Sequence, residues 1–268
     1  MKKFFDKLYI FLIFIFLYAP IAVLIVFSFN NSKSRVNWEG FTLKWYEQLF
    51  SDSVIMNSLS ITLAVGCLCA VISTLLGTAA AFGIHHMRKK PRSALMTLNN
   101  IPVTNPDIIT GVSLMLLFVF AGTLLWGDKF ELGFGTLLIA HVTFSTPYVI
   151  LSVIPKLRQL DKNLYEAALD LGAKPFYAFR RVIFPQIAPG VITGAIMAFT
   201  LSIDDFAVSY FTTGNTAQTL AITIYSMTKR RVSPKINALS SIMFLSVLIL
   251  LIIVNVRQMR EERKEAAR

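Results

Sequence analysis

Apolar runs long enough to cross a lipid bilayer recur along almost the whole of this 268-residue chain, and they constrain its fold more than any motif does. A hydrocarbon core of about 30 Å is crossed by about 20 helical residues, because in lipid every backbone N–H and C=O must find its partner within the segment. Such runs lie near 8–29, 57–84, 107–126, 134–154, 187–209 and 238–256, which predicts an all-α membrane protein of six transmembrane helices. With 55% apolar and 15% charged residues, the chain leaves no stretch for a separate soluble domain. Met1 to Lys7 and the apolar run after it resemble a signal peptide. The run is too long for one, however, and no small-residue cleavage site follows, so a retained first membrane helix is expected. Pro20, Pro106, Pro147 and Pro189 fall in or beside spans, which predicts kinked helices around a cavity.

The net charge of +11 does not point to nucleic acid, because the Lys and Arg residues sit between apolar runs rather than along one polar face. They report topology. Lys2, Lys3 and Lys7, then Arg88, Lys89, Lys90 and Arg92, then Lys156, Arg158, Lys162, Lys174, Arg180 and Arg181, and the tail from Arg257 to Arg268 share one side. That side carries most of the 26 basic residues and is therefore cytoplasmic, with both termini on it. Lys229, Arg230, Arg231 and Lys235 break the pattern between the fifth and sixth spans, and the cluster Lys229-Arg230-Arg231 suits a docking surface for acidic residues of a partner. Cys67 and Cys69 lie inside an apolar run without metal-ligand company and are expected to be packing residues.

The connection from Pro155 to Gln186 has apolar or small residues at Leu160, Leu164, Ala167, Ala168 and Leu171, which is helical spacing. Gly172 follows as a C-terminal stop and Pro175 suits the start of a second short helix. Glu166-Ala167-Ala168, Gly172 after three residues and Val182-Ile183-Phe184-Pro185 after nine more resemble the EAA loop of ABC importer permeases. Val182 and Phe184 depart conservatively from its usual form. The resemblance implies a type I ABC importer permease fold in which this loop is a cytoplasmic coupling helix that docks on an ATPase subunit. Ala167 and Ala168 then permit close approach, Glu166 caps the helix or pairs with the partner, Gly172 gives the sharp exit, and Pro185 closes the motif. The chain has no G-x-x-x-x-G-K-[ST] phosphate loop, so ATP hydrolysis must belong to another polypeptide.

Beyond the loop, the sequence resembles the permease subunits of spermidine/putrescine importers. The likeness runs through Pro20 to Asn30, Phe41 to Tyr46, Thr200 to Phe206, Ile224 to Thr228, Val232-Ser233-Pro234 and Asn237-Ala238. It implies a prokaryotic inner-membrane heterodimer with a second permease, a cytoplasmic ATPase homodimer carrying ATP-Mg, an extracytoplasmic polyamine-binding protein, and no cofactor in this chain. It divides the chain into a first transmembrane helix with its outer segment (1–56), a type-1 transmembrane domain (57–256) and a cytoplasmic tail (257–268).

A polyamine carries two or more ammonium groups, so its path should offer carboxylates and aromatic faces in place of water. Asp204 and Asp205, near the outer end of the fifth span beside Phe206, Tyr210 and Phe211, are the pathway candidates. Adjacent helical residues point about 100° apart, so one faces the pathway and the other satisfies a helix partner; interfacial solvation of both is the competing reading. Asp107 is a further pathway candidate or, after Pro106, an N-cap of the third span. Trp126 and Tyr148 suit belt or core positions. His141 with Thr143, Ser145 and Thr146 suits interhelical hydrogen bonding. His85 and His86, beside basic residues, are expected to be solvated. Three alternatives remain: an ABC permease for another small solute such as iron or thiamine, a secondary transporter, and an integral-membrane enzyme. The last would need clustered acids, histidines or metal ligands, and none cluster.

Overall fold

The computed structural model describes residues 2–32, 37–161, 163–230 and 234–266. Of the residues singled out above, Lys162, Arg231, Val232, Ser233 and Arg268 lie outside the described residues. The described chain is helical: α1 Lys2–Ser28, α2 Lys44–Phe50, α3 Ser53–His86, α4 Lys89–Thr104, α5 Asp107–Trp126, α6 Phe134–Gln159, α7 Asn163–Asp170, α8 Pro175–Ala178, α9 Phe184–Asp204, α10 Ala207–Thr212, α11 Leu220–Arg230 and α12 Pro234–Ala266. Five stretches among the described residues are long and apolar enough to cross a membrane: Lys7–Ser28, Ser53–His86, Asp107–Trp126, Phe134–Gln159 and Pro175–Asp204. The sixth predicted run lies within α12.

Two local expectations change. The connection between the second and third spans, where the sequence predicts no helix, is helix α4, whose Met96 packs on the core while no residue of the helix is fully buried. Its sparse apolar residues were too few to register as a span, yet their spacing suits one contact face. The fifth span ends five residues earlier than 209: α9 stops at Asp204, and α10 restarts at Ala207.

The chain divides into two compact units, Asn57–Thr223 and Met1–Met56 with Ile224–Arg268. In the first, the core joins α3, α6 and α9 through Ala81, Ile84, Val149, Val153, Leu157, Ile187 and Val191. Without a hydrophobic driving force in lipid, helices associate where small residues let backbones approach. Val149 of α6 occupies such a place twice over. A Cβ built on Gly77 of α3 would lie 2.7 Å from its side chain, and one on Gly194 of α9 would lie 3.0 Å from it. The start of α11 is tied to α3 by side chains, since Thr62 Oγ1 accepts the Leu220 N–H at 2.8 Å and Ser58 bonds Thr223 at 2.7 Å. The first of these bonds satisfies an N–H at a helix N-terminus that would otherwise be left unpaired.

In the second unit, α1 is exposed along its apolar length, with Phe16 81% accessible, as suits a helix made to meet lipid or another apolar helix. Buried Asn30 organises the segment after it. Its Nδ2 donates to Asn37 O at 2.7 Å, its Oδ1 accepts the Glu39 N–H at 2.9 Å, and its carbonyl accepts Trp45 Nε1–H at 2.7 Å. Asp52, just before α3, accepts from Lys235 Nζ at 3.2 Å. Partial burial raises the Asp52 carboxyl, but the Lys235 ammonium and the Ile55 and Val54 N–H groups outweigh this and hold it below its usual value. A depressed native pKa stabilises the fold above the unfolded value of about 4 and loses that contribution as pH falls through the native one. Asp52→Asn, which keeps the cap acceptor, should therefore melt about 2 °C below the wild type at pH 7. The difference should shrink as pH falls through the depressed native value and vanish once the carboxyl is protonated in both states, in a detergent-solubilised thermal scan; a gap independent of pH would refute the charge pairing.

Candidate functional site

The connection between α6 and α9 is folded from its own sequence. Asp161 Oδ1 accepts the Asn163 N–H at 3.0 Å and starts α7, whose first turn holds exposed Glu166. The helix closes with Gly172 N–H on Leu169 O at 2.9 Å and Ala173 N–H on Ala168 O at 3.1 Å. Together with φ of +82° at Gly172 this is a Schellman cap, in which a left-handed residue satisfies the last carbonyls. Pro175 then opens α8. Residues Phe179–Ile183 form a widened turn with i to i+5 bonding before α9, and Pro185, which lacks an N–H, stands at the join.

The base of this loop is anchored and its tip is bare. Tyr165 and Phe179 pack on the α3–α6–α9 core, and Phe179 meets Phe82 of α3 edge-on at 5.1 Å. At the tip Leu171 is 90% and Phe176 75% exposed, around a hollow lined by Ala168, Gly172, Ala173, Lys174, Tyr177 and Val182. Contiguous exposed apolar side chains of this kind are where partners commonly dock. Ala167 is exposed and Ala168 half-buried on the same helix.

The α9–α10 break is the second candidate. Asp205 turns inward, its side chain 8% exposed, and caps α10: Oδ1 accepts the Val208 N–H at 3.1 Å and Oδ2 the Ser209 N–H at 2.7 Å. Asp204 is exposed. Tyr210, 50% exposed, lies 5.5 Å from the rings of both Phe206 and Phe211. Adjacent carboxylates thus have opposite surroundings, one spent on a helix end and one open. Asp107 is exposed at the first position of α5, where Pro106 is the cap and no side chain caps the N-terminus; the carboxylate acts on the helix dipole instead.

His141 makes the interhelical bonds its neighbourhood suggested, but with residues no local pattern named. Its Nδ1 lies 2.6 Å from Ser202 Oγ of α9 and its Nε2 3.0 Å from Ser209 Oγ of α10. Ser202 and Ser209 lie on either side of the α9–α10 break, so no helical spacing between them marks the pair in the sequence. Ser145 reaches buried Cys69 of α3 at 3.4 Å. Thr143, by contrast, is exposed and bonds back to Ile139 O at 2.7 Å. Trp126 is 66% exposed, Tyr148 half-buried, His86 exposed and His85 half-buried. No group of His, Cys, Asp and Glu among the described residues could hold a metal ion.

A helical membrane fold of this kind occurs in the membrane subunits of ABC importers. A bacterial ABC transporter involved in the import of the acidic polysaccharide alginate superposes with a TM-score of 0.69 at 16% identity, over 96% of this chain and 94% of that one. The MetNI methionine ABC transporter does so with a TM-score of 0.61 at 16% identity, over 82% and 98%. These likenesses concern the fold alone. Residues 73–260 match the family of binding-protein-dependent transport system inner membrane components, and the chain belongs to that family. It is 37% identical to the spermidine/putrescine transport system permease protein PotC of Escherichia coli (strain K12), over 90% of this chain and 88% of that protein. To the putrescine transport system permease protein PotI of the same strain it is 38% identical, over 85% and 82%.

Proposed function

We propose that the chain is the permease subunit through which a polyamine, spermidine or putrescine, crosses the membrane in an ATP-driven importer. The observation that carries this reading is the identity of 37% and 38% with two permeases named for those substrates, across at least 85% of this chain. The chemistry of the α9–α10 break supports it. Exposed Asp204 offers a carboxylate for an ammonium, and Phe206 and Tyr210, a few residues on in the chain, offer a pair of ring faces. Asp107 and Tyr210 are further pathway residues on this reading, and Asp205 serves the pathway by shaping the break. The partners are a second permease, an extracytoplasmic polyamine-binding protein, and a cytoplasmic ATPase homodimer that carries ATP-Mg. The loop with Glu166, Ala167, Ala168, Gly172 and Pro185 docks on that homodimer. Both termini lie in the cytoplasm with it.

The test is uptake of labelled spermidine into proteoliposomes holding the complete transporter, with and without ATP on the ATPase side. ATP-dependent accumulation is expected. Asp204→Asn should lower it about tenfold or more while ATP hydrolysis persists, because a charge-assisted contact contributes about 1.5–3 kcal/mol. Uptake driven by an ion gradient without ATP would overturn the reading, and ATP-stimulated hydrolysis without spermidine uptake would move the substrate elsewhere.

A further inference from the structure

The α9–α10 break is held by a side chain from a third helix. Between Asp204 and Ala207 the main chain leaves the helix, and the first N–H groups of α10 go to the Asp205 carboxylate rather than to carbonyls of α9. What joins the two pieces across the gap is the imidazole of His141. Fully buried, it reaches Ser202 before the break with one nitrogen and Ser209 after it with the other. Its Nε2 also lies 3.6 Å from Asp205 Oδ2, beyond hydrogen-bond length but close enough to confine the carboxylate.

Where α10 meets α5 there is no slack either. A Cβ on Gly111 of α5 would sit 3.1 Å from Val208 Cα and 3.2 Å from Ala207 O, so α5 and α10 are in backbone contact. His141 itself stands on α6, whose neighbours Val149 and Val153 are locked into the core. A histidine inside a membrane bundle is costly unless its polar atoms are used, and here both are used on one joint. A side chain with only one polar atom could not reach both serines.

We propose that His141 is a positioning residue of the translocation pathway. It clamps the α9–α10 break so that Asp205 stays committed to α10 and Asp204 alone is presented outward. This rests on reading the break as part of the pathway. Motion entering α9 from the loop at Phe184 then arrives at a joint whose geometry is set by α6, and the outward carboxylate is carried without being released. His141 touches no substrate.

The experiment reads the joint and the transport separately, in the assembled transporter with Cys67→Ala and Cys69→Ser removing the native thiols. Val208→Cys, at a site 2% exposed, should react slowly with a maleimide. In His141→Leu its labelling should rise about tenfold or more, and His141→Gln, which keeps a donor and an acceptor, should restore most of the protection. For spermidine uptake, His141→Leu should raise KM about fivefold or more with kcat little changed, the mark of lost positioning rather than lost chemistry of the motor. Should the leucine variant fail to assemble, Ser202→Ala and Ser209→Ala each remove one partner and should show the same two changes in smaller measure. Unchanged labelling and KM in folded His141→Leu, or in both serine variants, would overturn the proposal. If the wild type moves no spermidine, the substrate reading falls while the labelling still decides the clamp.

Discussion

Gly172→Leu is expected to leave the transporter assembled in the membrane while ATP hydrolysis continues without uptake. The effect is large because the residue is strained by conformation rather than by crowding. A Cβ at Gly172 would meet nothing within 4 Å, so nothing blocks the side chain. The backbone sits at φ +82°, and holding an L-residue there costs about 1–2 kcal/mol. The chain can escape that cost by giving up the Schellman bonds to Ala168 and Leu169, which re-aims Leu171 and Phe176, the exposed apolar residues of the tip. None of this touches the α3–α6–α9 core, so membrane abundance should stay near wild type. Glu166→Lys tests the same surface by charge: exposed in the first turn of α7, it should uncouple without unfolding, and a lysine there also opposes the helix dipole. Parallel assays of ATP hydrolysis and spermidine uptake in proteoliposomes measure both. Normal coupled uptake in both variants would remove the coupling assignment.

Gly190→Leu should have the opposite signature, loss of the protein itself. A Cβ at Gly190 would stand 2.8 Å from Ser152 O and 2.8 Å from Lys156 Cγ. The lysine stem can swing away, but the carbonyl belongs to α6 and cannot. Inserting a full leucine would force α6 and α9 apart along the contact that carries Val149, Val153, Ile187 and Val191. Overpacking of this kind costs about 1–3 kcal/mol in a core that can relax, and more where backbone is the obstacle. Little folded protein should be recovered in detergent. Gly83→Ala in α3 is the control, because its Cβ would meet nothing within 4 Å and alanine favours a helix. Equal recovery of both variants would mean that the α6–α9 crossing is looser than its geometry.

Much of this molecule is local and was legible as such. Span positions follow from runs of apolar residues, since a helix in lipid satisfies its own backbone and needs no partner to be recognised. The loop from Asn163 to Pro185 was equally readable: helical spacing, then Gly172, then Pro175, each acting on its own few residues. Helix α4 was not, because its stability comes from contact with the core through residues such as Met96 rather than from a strong periodic signal. The end of the fifth span was also misjudged, since Ala207 to Thr212 continues the apolar pattern of α9 and nothing local marks Asp205 as a cap rather than a helical residue.

The roles of the two adjacent acids show the same division. The sequence predicts a division from the roughly 100° between neighbouring helical positions, but the chain leaves the helix at Asp205, so the observed division has another cause. Only the tertiary structure decided which was which: α5 crowds α10 at Gly111, α6 brings His141 between Ser202 and Ser209, and Asp205 is drawn inward to the N-terminus they hold. Apolar length and turn chemistry act within a few residues and can be read in order along the chain. A joint made by residues 61 and 68 positions apart exists only once three helices have packed.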